Sequence, residues 1–297
     1  MDINSSTLRG IYTALSTAFN ARFASVQPLY GTVAMTVPSA TAMNEYPRLD
    51  DLPGIREWIG ERLINRLSAQ TYVIRNREFE KTIAIKRSQI EDDQIGIFAP
   101  VAAQLGQDAA SFPDKLVWPL LTAGDSTVCY DGQYFFDTDH PGYDASGAVV
   151  SVSNFQAGAG AAWYLVDDSQ VVKPIVYQKR KEFKLTALQD DRDPNVFYRG
   201  EFVWGVDGRC NAGYGLWQLA YKSKATLDET NFNAARAAMQ ALRKRDGDVI
   251  NISPTKILVP PSLGPTARKL LNAELINGGE SNTLKGLVDV VEVPYLA

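Results

Sequence analysis

The chain has few of the side chains on which most metal and hydrolase sites depend. Among its 297 residues are one histidine, His140, and two cysteines, Cys129 and Cys210, which form no motif. Structural zinc sites, histidine-based catalytic triads and disulfide scaffolds need more of these residues than are present. The composition therefore disfavours most metalloenzymes and hydrolases, and we expect both cysteines to be reduced and partly buried.

Long apolar runs are also absent from the sequence. No stretch approaches the roughly 18 consecutive apolar residues of a membrane-spanning helix. Two long uncharged stretches, 23–44 and 145–166, contain polar residues together with Pro or Gly, so they predict loops, arms and strands. The first residues have neither the basic nor the apolar region of a signal peptide. We therefore expect no membrane partner.

A basic excess is missing as well. Lys and Arg number 30 against 34 Asp and Glu, which gives a formal net charge of −4 at pH 7. Dedicated nucleic-acid binders usually carry the opposite balance, so this class of protein is disfavoured. The remaining composition, with 45% hydrophobic and 22% charged residues, is typical of a globular protein. A chain of this length can bury a core of its own, in one large domain or two ordinary ones.

The first 57 residues predict an arm. A short helix is expected over 6–21, and four prolines interrupt the extended stretch that follows it. Proline disfavours helix interiors and central strands. A segment of this length with little core of its own is unusual in a monomer. In an oligomer such an arm can wrap a neighbouring subunit.

Segment 58–90 has the pattern of a basic β-hairpin. Two strand-like runs, 72–74 and 79–85, flank the polar residues 75–78, and the segment has seven basic residues against three acidic ones. A solvated face is one interpretation. A projecting ribbon that docks on an acidic neighbour or on nucleic acid is the other. Charge alone favours the solvated face.

The clearest helix pattern covers 90–123. Apolar residues from Phe98 to Phe112 recur at helical spacing. Pro113 should break or kink the helix, and Asp114 is expected to cap a second segment. Residues 126–222 predict strands and turns with many aromatic residues. The further predicted elements are a helix over 232–242 capped by Thr230 or Asn231, a strand over 256–259, a helix over 265–275 and a final strand over 287–293.

One cluster has the composition of an enzyme site. Asp137 and Asp139 could bind a divalent cation, with His140 as ligand or base. Such a site needs more converging ligands than this, so we prefer turn-forming acids before Pro141. Gly-rich phosphate loops and the nucleophile elbow are absent. The sequence therefore predicts no catalytic, metal or cofactor-binding residue. Solvated turns are also expected at Asp167, Asp168, Asp190, Asp191 and Asp193.

Blocks of sequence along residues 58–297 carry a family resemblance. They are 58–62, 72–74, 79–82, 90–96, 130–132, 135–141, 173–175 with Gln178, 205–209, 213–218, 258–263, 267–268, 281–282 and 285–286. Taken in this order they resemble the Mu-like phage major head (capsid) subunit family. The arm before residue 58 contributes little to the resemblance.

The resemblance implies an α+β fold, the tailed-phage major capsid fold of the Hong Kong 97 type. Its implied parts are an N-terminal arm (1–57), an extended loop formed by the β-hairpin (58–90), a peripheral domain with a long spine helix (91–126 and 280–297) and an axial domain (127–279).

The implied function is that of a major capsid protein and not of an enzyme. Such a protein assembles into pentamers and hexamers that form the icosahedral head shell around double-stranded DNA of a tailed phage or prophage. Docking of the basic hairpin on a neighbouring subunit then becomes the preferred interpretation. Its candidate contacts are Arg75, Arg77, Lys81 and Arg87.

The resemblance also implies the partners and the location. The main partner is the chain itself, and scaffold, maturation protease, portal and decoration proteins are further expected partners. Contact with the packaged DNA should be weak and sequence-independent. The expected location is the virion, after assembly in the cytoplasm of a bacterial host. An encapsulin-like compartment with the same fold is the main alternative, and a scaffolding or tail component is another.

Overall fold

Two β-sheets and the helices packed on them make up the structure, a computed structural model that describes residues 5–47, 71–92, 96, 98–190, 192–276 and 279–297. The helices are α1 (Ser5–Ser25), α2 (Arg87–Glu91), α3 (Phe98–Ala110), α4 (Phe112–Thr122), α5 (Pro194–Arg199), α6 (Glu229–Gln240) and α7 (Gly264–Leu271). Short 3-10 turns cover Leu29–Thr32, Ala123–Asp125, Trp217–Leu219, Pro261–Leu263 and Pro294–Leu296.

The strands are numbered in chain order. They are β1 (Ala34–Pro38), β2 (Met43–Pro47), β3 (Thr71–Arg75), β4 (Arg77–Lys86), β5 (His140–Tyr143), β6 (Val149–Val152), β7 (Phe155–Gln156), β8 (Trp163–Val166), β9 (Ile175–Leu188), β10 (Glu201–Tyr214), β11 (Ala220–Ser223), β12 (Lys256–Val259), β13 (Leu275–Ile276), β14 (Glu280–Ser281) and β15 (Asp289–Glu292).

A four-stranded sheet with the order β1-β9-β10-β4 supports the long helices. Its centre is the antiparallel pair β9 and β10, each 14 residues long. Burial alternates along most of β10, as expected for a strand with one face against a core. Phe202, Trp204 and Val206 lie on that face and pack in clusters with residues of α1 and α3.

Helices α1 and α3 approach each other closely at Gly106. A Cβ atom at this position would lie less than 3.0 Å from the carbonyl oxygen of Phe19 and 3.2 Å from its carbonyl carbon. Phe19 and Leu105 are buried beside this contact. A side chain as small as methyl would therefore push the two helices apart, so the contact depends on glycine.

A five-stranded sheet with the order β15-β12-β8-β11-β7 contains the centre of the largest hydrophobic cluster. All four residues of β8 are buried, which explains its continuous apolar run. Helix α6 packs beside β11, and α7 packs beside β15. Phe232 of α6 and Ala267 of α7 are fully buried in this cluster.

A buried lysine connects the end of α4 to the five-stranded sheet. Lys222 on β11 donates to the carbonyl oxygen of Thr122 at 2.8 Å and forms an ion pair with Asp125 at 3.0 Å. Lys224 binds the same carboxylate at 2.7 Å. Burial lowers the pKa of Lys222, and its bonds to Asp125 oppose this shift. The carboxylate is therefore the group that makes a buried ammonium tolerable here.

The break predicted at Pro113 is confirmed, because α3 ends at Ala110 and α4 begins at Phe112. The predicted cap is wrong, since Ser111 occupies the N-cap position of α4. The carboxylate of Asp114 instead accepts from the backbone N–H of Tyr30 at 2.6 Å and from that of Leu29 at 3.2 Å. It therefore holds the segment that connects α1 to β1, a contact between residues far apart in sequence.

The predicted hairpin within 58–90 is wrong. Its two runs form β3 and β4, but β3 pairs antiparallel with β2, and β4 pairs antiparallel with β10. Residues 58–70 of this segment, like residues 48–57 of the arm, lie outside the described residues. Alternating apolar residues predict a strand and show which of its faces is buried. They do not show which other strand it pairs with. The prolines of the arm also obscured β2, which ends at Pro47.

The division into domains stays a prediction, and the two sheets cross its boundaries. Strands β9 and β10 belong to the sheet beneath α1 and α3, although they fall within the expected axial domain 127–279. Strand β15, expected with the spine helix, pairs with β12 in the other sheet. The chain leaves the five-stranded sheet after β8, forms β9 and β10 in the four-stranded sheet and returns to the five-stranded sheet at β11, so chain order does not show which strands belong together.

Smaller differences concern helix ends and caps. Helix α6 is capped by Asp228, whose side chain accepts from the N–H of Asn231, and not by Thr230 or Asn231. Helix α7 ends at Leu271, before the predicted end at residue 275. Strand β12 covers the predicted 256–259, and β15 lies inside the predicted 287–293. None of the helices in the described parts of the chain is long and apolar enough to cross a membrane.

Candidate assembly surfaces

The two-stranded ribbon of β2 and β3 is joined to the four-stranded sheet by buried polar groups. The fully buried amide of Gln178 on β9 donates to the carbonyl oxygen of Ile74 at 3.2 Å and to Asn76 Oδ1 at 2.9 Å. It accepts from the hydroxyl of Tyr46 at 2.9 Å. Both strands of the ribbon are thereby tied to one side chain of the sheet, which fixes the direction in which the ribbon leaves it.

Asn76 forms the corner between β3 and β4. Its side-chain nitrogen donates to Ser39 Oγ and to the carbonyl oxygen of Thr41, each at 2.9 Å. Its backbone N–H donates to the carbonyl oxygen of Ala42 at 2.9 Å. Asn211 on β10 donates to the carbonyl oxygen of Arg75 at 2.7 Å. The corner is thus held by at least four hydrogen bonds.

Two of the four predicted contact residues lie on either side of this corner. Arg75 ends β3 and Arg77 begins β4, and both side chains are exposed. The guanidinium of Arg77 lies over the ring of Phe79, 5.2 Å from its centroid. Within the described residues neither arginine forms an ion pair with a carboxylate. Among the residues that the structure describes, the corner therefore presents two positive charges without a carboxylate partner, on a well-braced backbone.

The other two predicted residues lie away from the corner. Lys81 forms an ion pair with Asp108 of α3, and the hydrogen bond from Lys81 lowers the pKa of that carboxyl group. Arg87 is half-buried at the start of α2, and its backbone N–H donates to Gly200 at 2.7 Å. Since β4 separates Arg77 from Arg87, they are about 30 Å apart along the strand. The four residues do not form one patch.

Asp137, Asp139 and His140, which the sequence grouped as one possible site, have different environments in the structure. The carboxylate of Asp137 accepts from the backbone N–H groups of Tyr134 and Thr138, so this residue forms a turn. Asp139 is exposed. His140 is fully buried, and its ring stacks on Trp217 with centroids 4.0 Å apart. Neither predicted aspartate is the buried partner of the histidine.

That partner is Asp131, which the spacing of the sequence did not reveal. Its carboxylate lies 2.7 Å from His140 Nδ1 and accepts from Cys129 Sγ at 3.0 Å. Burial alone would raise the pKa of Asp131, but the bonds from His140 and Cys129 lower it. Burial, followed by the nearby charge of Asp131, raises the pKa of Cys129 far above its ordinary value.

This buried group lacks the geometry of an activated nucleophile. The carboxylate lies between the thiol and the imidazole, whereas an activated cysteine needs the base beside it. The raised pKa of Cys129 also keeps the thiol neutral, whereas the thiolate is the nucleophile. The three side chains instead brace the segment that leads from residue 129 into β5.

The comparison with known families decides what kind of protein this is. The family model described as "Mu-like prophage major head subunit gpT" matches residues 8–296. The chain belongs to the Mu-like major head subunit family. Membership confirms the predicted function, that of a major capsid protein of a tailed phage, and does not favour the encapsulin-like alternative.

Curated relatives support the assignment to the head subunit family along most of the chain. The Mu-like prophage FluMu major head subunit of Haemophilus influenzae is 41% identical over 276 residues, covering 90% of this chain and 89% of that protein. The major capsid protein of Escherichia phage Mu is 36% identical over 305 residues and covers all of both chains.

Solved structures share the fold of this head subunit. The subunit in the procapsid of bacteriophage JBD30 has a TM-score of 0.88 and 38% identity, covering 99% of this chain and all of the other. The subunit in the JBD30 capsid has a TM-score of 0.79 and 28% identity over the whole of both chains. The predicted α+β tailed-phage capsid fold is therefore confirmed.

Proposed function

We propose that this head subunit closes an icosahedral shell of pentamers and hexamers, and that the corner at Asn76 contacts an acidic surface of a neighbouring copy. The observation that carries the contact is the exposed pair Arg75 and Arg77, unpaired within the described residues. The hydrogen bonds of Asn76 and Gln178 hold the corner before assembly. Little backbone entropy is then lost on docking.

Charge reversal at the corner tests this contact. Arg75→Glu with Arg77→Glu should leave the subunit folded, because both side chains are exposed and substitutions of such residues usually change stability by no more than about 0.5 kcal/mol each. Shell formation should fall by at least tenfold, since two attractions per contact become repulsions. Particles are counted by negative-stain microscopy, and circular dichroism checks the fold.

The matched control keeps the charge. Arg75→Lys with Arg77→Lys should assemble, with at most a modest loss from the missing guanidinium geometry. Normal shells from the doubly reversed variant would show that the corner is not part of the assembly surface. Equal failure of the lysine and glutamate variants would show that charge is not what the corner contributes.

Further partners of this subunit are proposed from its relatives. One solved JBD30 structure is a capsid decorated with minor capsid protein trimers. By similarity, we propose that this subunit also binds a decoration protein. Scaffold, maturation protease and portal partners, the virion location, assembly in the host cytoplasm and the lack of enzymatic activity are proposed from the family. The net charge of −4 supports only weak, sequence-independent contact with packaged DNA. Raising salt should release such contacts.

A further inference from the structure

Cys129, Asp131 and His140 bring a sulfur, an oxygen and a nitrogen donor to one point in the fold. One donor atom from each side chain lies within 4.8 Å of the other two. The carboxylate lies in the middle, 2.7 Å from His140 Nδ1 and 3.0 Å from Cys129 Sγ. Thiolate, imidazole and carboxylate are the groups that bind zinc in proteins. The sequence did not predict this set because it grouped His140 with Asp137 and Asp139.

The spacing of the three donors is close to that of a zinc site. Bonds of about 2.0–2.3 Å to a tetrahedral ion place its ligand atoms about 3.4–3.6 Å apart. The two contacts of Asp131, at 2.7 and 3.0 Å, are shorter because they are direct hydrogen bonds. Movements of several tenths of an ångström therefore admit an ion between the three side chains.

The backbone and a stacked ring hold the donors in place before any ion binds. The N–H of Cys129 donates to the carbonyl oxygen of Gln133 at 2.8 Å, and the N–H of Gln133 donates to the Asp131 carboxylate at 3.1 Å. The ring of His140 lies on Trp217, with centroids 4.0 Å apart. Donors fixed in advance lose little conformational entropy on binding.

The buried carboxylate of the group has no basic partner except His140. The side chain of Asp131 is fully buried, and no lysine or arginine among the described residues forms an ion pair with it. A divalent cation is neutralised by this carboxylate together with the thiolate of Cys129, and a neutral group suits burial. The coordinating thiol releases its proton to water when the ion binds.

The second nitrogen of His140 is also buried. Nε2 has no hydrogen-bond partner in the described part of the chain. A bound ion or water is an ordinary explanation of a group left unsatisfied in this way. Because no described group fixes the proton through Nε2, the ring can carry its proton there and present the lone pair of Nδ1 to an ion.

A surface depression gives an ion a route to the group. Asp131 and His140 line it together with Gln133, Asp139 and Pro141. The depression is open to solvent, so a hydrated ion can enter, and a water molecule can stay as the fourth ligand beside three protein ligands.

We propose that a zinc ion binds Cys129 Sγ, a carboxylate oxygen of Asp131 and His140 Nδ1, with water as the fourth ligand. The ion joins the loop at residues 129–131 to the start of β5 and stabilises the subunit by mass action. The sulfur and nitrogen donors disfavour magnesium and calcium, which prefer oxygen ligands. The proposal does not depend on how the subunits assemble.

Cobalt(II), which occupies zinc sites and is coloured, tests whether a thiolate is bound. The unassembled full-length subunit is stripped with a chelator and titrated with Co²⁺, then with Zn²⁺. We expect one ion per chain, a thiolate-to-cobalt charge-transfer band in the near ultraviolet, and loss of the band when Zn²⁺ displaces Co²⁺. Binding of neither ion, or binding of Co²⁺ without the thiolate band, overturns the proposal.

Matched variants locate the ion. Cys129→Ser and His140→Gln should each weaken zinc binding by about a hundredfold or more, because each removes one of three protein ligands. Cys210→Ser, at the other buried cysteine, and Asp139→Asn, an exposed acid beside the depression, should bind zinc like the unmodified chain. Titration calorimetry gives the affinities, and circular dichroism checks the fold. Unchanged binding by Cys129→Ser, or an equal loss in Asp139→Asn, overturns the proposal.

If Cys129→Ser fails to fold, Cys210→Ser decides the assignment. The chain has two cysteines, so a thiolate band that persists in Cys210→Ser comes from Cys129, and a band lost from this variant overturns the proposal. Zinc should also raise the melting temperature of the unmodified subunit. An equal rise in His140→Gln would show that the ion binds elsewhere.

Discussion

Replacing Gly106 by alanine tests the close packing of α1 on α3. The new methyl group would lie less than 3.0 Å from the carbonyl oxygen of Phe19, where ordinary contacts are 3.4–4 Å. The helices must separate by several tenths of an ångström, and such overpacking costs about 1–3 kcal/mol. Alanine gains about 1 kcal/mol over glycine in a helix interior. We expect a net destabilisation of about 1 kcal/mol.

Gly10 on α1 provides the matched control. A Cβ atom there would meet nothing within 4 Å, so Gly10→Ala should stabilise the subunit by about 1 kcal/mol. Both variants share the gain in helix propensity, and the difference between them isolates the steric overlap. Urea unfolding of unassembled subunits, followed by circular dichroism, gives both free energies. A Gly106→Ala subunit as stable as Gly10→Ala would refute this account of the packing.

Two further predictions concern buried charges. Asp125→Ala should cost about 3–5 kcal/mol, because it leaves the ammonium of Lys222 buried without a counter-ion. Lys222→Met should cost clearly less, and urea unfolding that gives the opposite order would contradict the buried-charge argument. The lowered pKa of Asp131 stabilises the fold above the unfolded value of about 3.9, and this contribution is lost as pH falls through the lower folded value. Asp131→Asn should therefore show a smaller loss of stability between pH 7 and pH 3, and an unchanged pH profile would count against the prediction.

Local patterns in the sequence predicted individual elements well. The apolar spacing of α3, the break at Pro113 and the short buried strand β12 each depend on residues within a few positions of one another. Strand pairing depends on the rest of the chain. Nothing within β3 indicates that it pairs with β2, and Gln178, which joins this ribbon to the sheet, is remote from both strands in sequence.

The candidate surfaces were predictable to a similar extent. A local excess of charge pointed to Arg75 and Arg77, but it also included Lys81, which the structure pairs with Asp108. Composition showed an aromatic-rich middle without showing which rings stay in water. Phe197 is exposed because Val196 takes the buried position in the turn. That choice depends on how the turn packs against α1 and β4.

Electron microscopy of particles formed by the purified chain tests the central claim most directly. The account predicts closed shells of uniform diameter built from pentamers and hexamers. Three-dimensional reconstruction should show the corner at Asn76 against a neighbouring subunit. A chain that stays monomeric at high concentration, or forms only open sheets and irregular aggregates, would contradict the claim that this subunit builds the shell by self-association.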